Sequence, residues 1–332
     1  MDSFTQILVG IATAEVIAGR QLKNKTFLYG AVLGTIPDLD VMVGLFLNPV
    51  SGVAIHRGFS HSILFFLLLT PVLGWIISQL EKRKITLKRA FVLVFFGFFT
   101  HVLLDLFTSW GTQIFWPLET RFALKTIFVI DPLYTIPLLI SLIYVFRTTH
   151  ISLRIKYVWR GIVISSCYLL LSCGLKLFAL QKFETALKNQ HIIFKEIIVK
   201  PTAFNTILWN ANVATSDGYL LADYSLFDTK SIKFTNYKSD EIAEDKIRKS
   251  PYFNQLVEIS EGWYIVNEQN NQIFFNDLRF GLLNDDSKQP QFAFSYDFVP
   301  QPDGSFLVIE VPKEKREGKI LVQKLWKRLQ GN

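Results

Sequence analysis

Two cysteines in 332 residues leave little room for thiolate chemistry. Cys167 and Cys173 share one apolar run and, six residues apart, face different sides of a helix. They are expected to be buried small apolar residues rather than a metal pair. No Cys-rich zinc-finger spacing and no Walker-type phosphate loop occurs. Charged residues make up only 19% of the chain, below the roughly 25% of soluble domains. Their net charge of +7 is spread over short loops and the C-terminal end. That fits an anionic lipid surface and argues against nucleic acid as a partner. The opening MDSFTQILVG lacks the basic residues that precede the apolar core of a signal peptide. Ser3–Gly19 is therefore expected to persist as a first helix.

Apolar residues, by contrast, are abundant. They form 50% of the chain, with 30 phenylalanines and a positive mean hydropathy. They are concentrated before about residue 182. A membrane helix needs about 20 apolar residues. Six stretches qualify as candidates: Ser3–Gly19, Phe27–Leu47, His61–Leu80, Ala90–Phe107, Ile127–Phe146 and Tyr157–Leu180. The expected fold is a polytopic α-helical membrane protein of about six transmembrane helices, residues 1–182. A mostly β soluble domain follows, residues 183–332.

The basic residues of the short loops set an orientation. Twelve follow the first, third and fifth stretches: Arg20, Lys23, Lys25; Lys82, Arg83, Lys84, Lys88, Arg89; Arg147, Arg154, Lys156, Arg160. The opposite loops carry three, Arg57, Arg121 and Lys125. The N-terminus, the 56–62 loop, the 108–126 loop and the C-terminal domain are thus expected outside a bacterial cytoplasmic membrane. In that domain β-branched and aromatic runs alternate with the turn signals TSDG and QPDG. Strands are expected at 191–200, 207–227, 262–266, 272–280, 291–299 and 305–311. Asp240–Arg248 reads as a short helix and Glu314–Leu329 as a basic one, docked on the β domain or lying on the bilayer. Asp277 and Arg279, two apart on one strand, read as a local ion pair.

Ionisable groups inside apolar segments are costly and mark function. Here Asp38, Asp40, His56, His61, His101, Asp105 and Asp131 all fall on the outer half of a topology that was deduced without them. Glu15 is the exception. His101 and Asp105, at i and i+4, share one helix face. His56 and His61 flank the turn in HRGFSHS. PDLD places two carboxylates where Pro37 loosens the helix. Three imidazoles with several carboxylates suit a divalent metal, Zn²⁺ first, with Mn²⁺ or Fe²⁺ as alternatives. His56, His61, His101 and Asp105 are the expected ligands. Asp38 and Asp40 are expected to complete the shell or act as general base, and Arg57 to hold an anionic group. Asp131, before Pro132, reads equally as a helix N-cap or as a group behind the site, and Arg121 as a further anion contact.

These pieces occur together in a known family. MDSFTQ, GTIPDLD, HRGFSHS, HVLLDLFTSWGTQIFWP and IDPLYT, with PTAFNTILW and NDLRFG in the soluble part, resemble the YdjM-like membrane-bound proteins, described as metal-dependent hydrolases of the bacterial inner membrane. The resemblance implies a polytopic hydrolase with a bound divalent metal and names no substrate. A site at headgroup depth points to a lipid-linked or amphiphilic substrate, such as a phosphoester, and to membrane lipids as partners. The rival class is a non-catalytic membrane protein with a structural or sensing metal site and a partner-binding β domain. A transporter is disfavoured because the polar residues gather on one side.

Overall fold

The computed structural model describes residues 1–284, 290–312 and 318–332. The chain divides into two compact units. One comprises Met1–Val43, Ile55–Leu175 and Ala203–Thr206; the other comprises Gly44–Ala54, Lys176–Thr202 and Ile207–Asn332.

The first unit is helical. α1 (Ser3–Leu22) starts at Asp2, whose side chain accepts a hydrogen bond from the Thr5 N–H at 3.0 Å. α2 (Lys25–Thr35) packs against it through Gly30 and Gly34. A Cβ on Gly30 would collide with the Ile11 backbone, and one on Gly34 with the Gln6 carbonyl. Small residues thus let the two backbones approach closely. Pro37, which lacks an N–H, ends the regular helix. A 3₁₀ turn at Ile36–Leu39 and the short α3 (Asp40–Gly44) follow. After α4 (Pro49–Ile55) and a 3₁₀ turn at Phe59–His61, α5 (Ile63–Leu80) begins under the Ser62 cap. α6 (Leu87–Leu106) begins under the Thr86 cap. α7 (Pro132–Arg147) begins with Pro132 directly after Asp131. α8 (Ile151–Asn189) runs 39 residues, about 58 Å at 1.5 Å per residue.

Ala14, Ala18, Leu33, Phe66, Leu93 and Phe98 form one buried cluster, and Leu8, Ile11, Leu104, Leu138 and Val158 another. Many large apolar side chains instead face outward, Leu68, Trp75 and Leu170 among them. That is unfavourable in water and suits contact with lipid. Among the described residues four helical segments are long and apolar enough to cross a membrane: Lys25–Gly44, Ile63–Leu80, Leu87–Leu106 and Ile151–Asn189. Pro132–Arg147 is apolar but shorter. α1 carries Gln6, Glu15, Arg20 and Gln21 and is not among the four. The cysteines differ from expectation. Cys167 is exposed and Cys173 partly so, because both lie on outward-facing parts of α8.

In the second unit each of two antiparallel sheets has four strands in sequential order. The first holds β1 (Glu196–Pro201), β2 (Leu208–Ala214), β3 (Tyr219–Ser225) and β4 (Thr235–Tyr237). α9 (Glu241–Ile247) and α10 (Pro251–Ile259) follow. The second sheet holds β5 (Tyr264–Gln269), β6 (Gln272–Asn284), β7 (Gln291–Pro300) and β8 (Phe306–Glu310). The two-residue β5–β6 loop uses Asn270 and Asn271 at positive φ, 50° and 62°, as a tight hairpin requires. Phe253, Leu256, Val266, Phe275 and Phe298 form the core of this unit, and Val50 of α4 is fully buried with them. α10 and β4 were not anticipated.

The β6–β7 register shifts between Asp277 and Leu282. Lys200 Nζ donates to the Leu278 carbonyl there, at 3.3 Å. Arg279 grips Asp277 with Nη2 at 2.8 Å and Nε at 3.1 Å, as a local pair. Burial would lower the Arg279 pKa, but the Asp277 and Glu261 carboxylates raise it, so the guanidinium stays charged. The closing helix, α11, is described over Gly318–Leu329; residues 314–317 of the expected span lie outside the described residues. It docks through Arg328, whose Nη1 and Nη2 each reach Asp228 at 2.6 Å.

Candidate metal centre

Four side chains converge at one end of the helical unit: Asp38, His61, His101 and Asp105. The elements that bring them there are the 3₁₀ turn after α2, the 3₁₀ turn before α5, and the last two turns of α6. His61 Nε2 lies 3.3 Å from Asp38 Oδ1, 3.3 Å from Asp105 Oδ2 and 3.3 Å from His101 Nε2. His101 Nε2 lies 3.4 Å from Asp38 Oδ1 and 3.6 Å from Asp105 Oδ2. Donors placed tetrahedrally about an ion at ~2.0–2.1 Å sit about 3.3–3.4 Å apart. The side chains of His61 and Asp105 are 0% exposed and that of His101 is 1%, whereas Asp38 retains 15%. Asp38 therefore marks the side from which solvent reaches the cluster.

Hydrogen bonds fix which atoms face inward. His101 Nδ1 is 2.8 Å from the Gly34 carbonyl, which can only accept. Nδ1 must then carry a proton, which leaves Nε2 facing the cluster. The close α1–α2 contact at Gly34 holds that carbonyl in place. For His61, Ser60 Oγ donates to Asp40 Oδ2 at 2.7 Å and lies 2.9 Å from His61 Nδ1. With its one proton given to Asp40, the hydroxyl can only accept from Nδ1, and His61 Nε2 also turns inward.

Asp105 is polarised in the same way. Its Oδ1 accepts from Gln6 Nε2 at 2.9 Å, faces Arg57 Nη2 at 3.1 Å and meets the Met1 amine. Its Oδ2, fully buried and facing the two imidazoles, has no hydrogen-bond donor. With both rings neutral, two nitrogen lone pairs and two carboxylate oxygens point at one another. A buried anionic oxygen without a partner is costly. A divalent cation satisfies all four groups, and the His₂Asp₂ set suits Zn²⁺, Mn²⁺ or Fe²⁺ in its donor chemistry.

The structure places the anticipated residues unevenly. His61, His101 and Asp105 are brought together, and Asp38 joins them where His56 was expected. His56 Nδ1 instead meets Asp40 Oδ1 at 2.9 Å, with its ring edge-on to His61 and Trp110. Asp40 has no free direction for a ligand role. Besides His56 and Ser60 it accepts from the Arg57 N–H at 3.0 Å. Arg57 adopts a left-handed backbone conformation, φ 61°, uncommon for a residue with a side chain. That turn sends its guanidinium inward to Asp105 and to Thr108 Oγ1 at 2.7 Å, rather than out to a substrate anion. Arg121 Nη1 donates to the His56 carbonyl at 3.1 Å. Asp131 caps α7, accepting from the Leu133 N–H at 3.0 Å and from Tyr168 Oη at 2.8 Å. Gln6, Gly34, Ser60 and Thr108 support the cluster, and none of them was expected in that role. Their only advance signal was their place within the strings MDSFTQ, GTIPDLD, HRGFSHS and DLFTS, which carry the family resemblance.

Apolar helices enclosing a buried His–Asp cluster describe a membrane protein with a candidate metal centre. The family model for the YdjM inner membrane protein matches residues 1–179, and the chain belongs to that family. No curated protein and no solved structure matches it.

Proposed function

We propose that the protein is a metal-dependent hydrolase of the bacterial cytoplasmic membrane, acting on a lipid-linked or amphiphilic substrate such as a phosphoester. The observation that carries this reading is the convergence of two tautomerically fixed imidazoles on the unpartnered Asp105 Oδ2, with Asp38 completing the set. Asp38, His61, His101 and Asp105 are the residues that would hold the ion. A divalent ion there supplies Lewis acidity, which in zinc enzymes brings the pKa of water down to roughly 7. The chain's own residues do the positioning. Gly34 and the Asp40–Ser60 pair orient the imidazoles, while Arg57 and Gln6 hold one Asp105 oxygen so that the other faces the cluster. His56 and Asp38, the partly exposed members, form the edge that a substrate meets first. In this reading α1 and α7 also span, giving six crossings, with the N-terminus, the centre and the β unit on the outer face. The basic-loop bias supports that orientation.

The test is hydrolysis of phospholipids and simple phosphoesters by the purified chain in vesicles. Activity removed by chelation, restored by Zn²⁺ or Mn²⁺, and absent in His101→Ala supports the proposal. Stoichiometric metal without turnover of any such ester overturns it. A second reading then stands, a structural or sensing ion. The burial of three of the four side chains favours it, because closed protein-only shells are typical of structural ions.

A further inference from the structure

The opposite end of the helical unit carries two adjoining clefts that the metal centre does not use. One, of about 640 Å³, is lined by Lys84, Thr86, Lys88, Arg89, Gln21 and apolar side chains. The other, of about 380 Å³, lies across Ile17, Gln21 and Arg89 and adds Arg20, Glu15 and Trp159. Their charge is one-sided. Arg20, Lys84, Lys88 and Arg89 are exposed, and no ion pair is recorded for any of them among the described residues. The acids close by are occupied. Glu15 is held bidentately by Arg154 at 2.7 Å, and Glu81, beside Lys84, is held by Lys25 at 2.8 Å and by Tyr29. Thr86, Lys88 and Arg89 are the cap and first turn of α6, a 20-residue helix with no acid in that turn. Cations there have the wrong sign for the helix dipole, while free N–H groups and dipole both favour an anion. Gln21 lines both clefts, and its Oε1, shielded from water, has no hydrogen-bond partner. Val16, Val92 and Trp159 beside them are exposed and apolar, a surface for acyl chains.

We propose that these clefts bind an anionic phospholipid, its phosphate among Arg20, Lys88, Arg89 and the α6 N-terminus, its headgroup hydroxyls on Gln21, and its chains along Val92 and Trp159. Basic recesses between membrane helices are suited to such headgroups. The inference is independent of any metal chemistry. The experiment measures binding of phosphatidylglycerol, phosphatidylcholine and inorganic phosphate to the purified full chain in neutral detergent by native mass spectrometry. The variants are the triple Arg20→Gln/Lys88→Gln/Arg89→Gln, Gln21→Glu, and a charge-matched control, Arg147→Gln/Lys156→Gln/Arg160→Gln. The expected result is saturable phosphatidylglycerol binding, about a hundredfold weaker in the first triple, weakened in Gln21→Glu and retained in the control. Equal loss in the control would reduce the effect to general charge attraction and overturn the site. So would unchanged binding in the first triple. Displacement of the lipid by equimolar inorganic phosphate would assign the clefts to free phosphate instead of lipid and overturn the proposal as well.

Discussion

α1 carries one residue of each of two buried polar clusters, Gln6 and Glu15, nine positions and about 13 Å apart. At Glu15 every charge is answered. Arg154 meets both carboxylate oxygens at 2.7 Å, Thr26 adds a hydrogen bond at 2.7 Å, and Arg154 Nη1 is bound by Asn24 Oδ1 at 2.6 Å and the Val145 carbonyl at 3.0 Å. Near Gln6 the supporting groups are just as ordered, yet they all point the cluster's lone pairs at one another. The first arrangement is complete in itself and ties α1, α7 and α8 together. The second is a set of groups that could hold a cation. Burial and residue type alone do not separate structural from functional polar groups in this protein. The inventory of donors and acceptors does.

The largest effect is expected at the closed end. Glu15→Ala leaves Arg154 buried without its anion and should cost about 3–5 kcal/mol of stability, read by thermal unfolding in detergent. Its surviving folded fraction should still bind metal. At the open end the pattern reverses. Asp38→Asn removes one of two facing carboxylates, so the metal-free protein should lose no stability while metal affinity drops more than about a hundredfold, a larger loss than outer-sphere changes produce. Isothermal titration with Zn²⁺ beside a metal-free melting curve checks both halves. Ser60→Ala removes the acceptor that fixes His61 and should weaken metal binding about tenfold, with the melting temperature of the metal-free protein nearly unchanged. The mildest contrast is with pH. Protons compete with the ion for the imidazoles and carboxylates, so metal affinity should fall as pH is lowered. Zn²⁺ titrations at several pH values check this.

Much of this contrast was open to sequence reading. All six apolar stretches contain a helix, and the i, i+4 spacing put His101 and Asp105 on one face. The β hairpins at TSDG and QPDG formed where turn chemistry placed them. What stayed hidden depends on local departures from regular periods and on distant partners. PDLD lies across a 3₁₀ turn, so Asp38 and Asp40 face different neighbours, and no helical wheel assigns one to the cluster and the other to His56. The left-handed Arg57 redirects a side chain that reads as solvent-facing. Glu15 looked like an unexplained acid because its partner is 139 residues away. Gly44–Leu47 reads as the end of an apolar stretch and residues 48–54 fall between stretches, yet Gly44–Ala54 belongs to the second unit, with Val50 in that unit's core.

The central claim is that Asp38, not His56, completes a metal-binding set with His61, His101 and Asp105. Elemental analysis of the purified wild type, Asp38→Asn and His56→Ala tests it most directly. The account predicts about one divalent ion per chain in the wild type and in His56→Ala, and none in Asp38→Asn. A wild type that takes up no metal after reconstitution, or metal kept in Asp38→Asn and lost in His56→Ala, would contradict it.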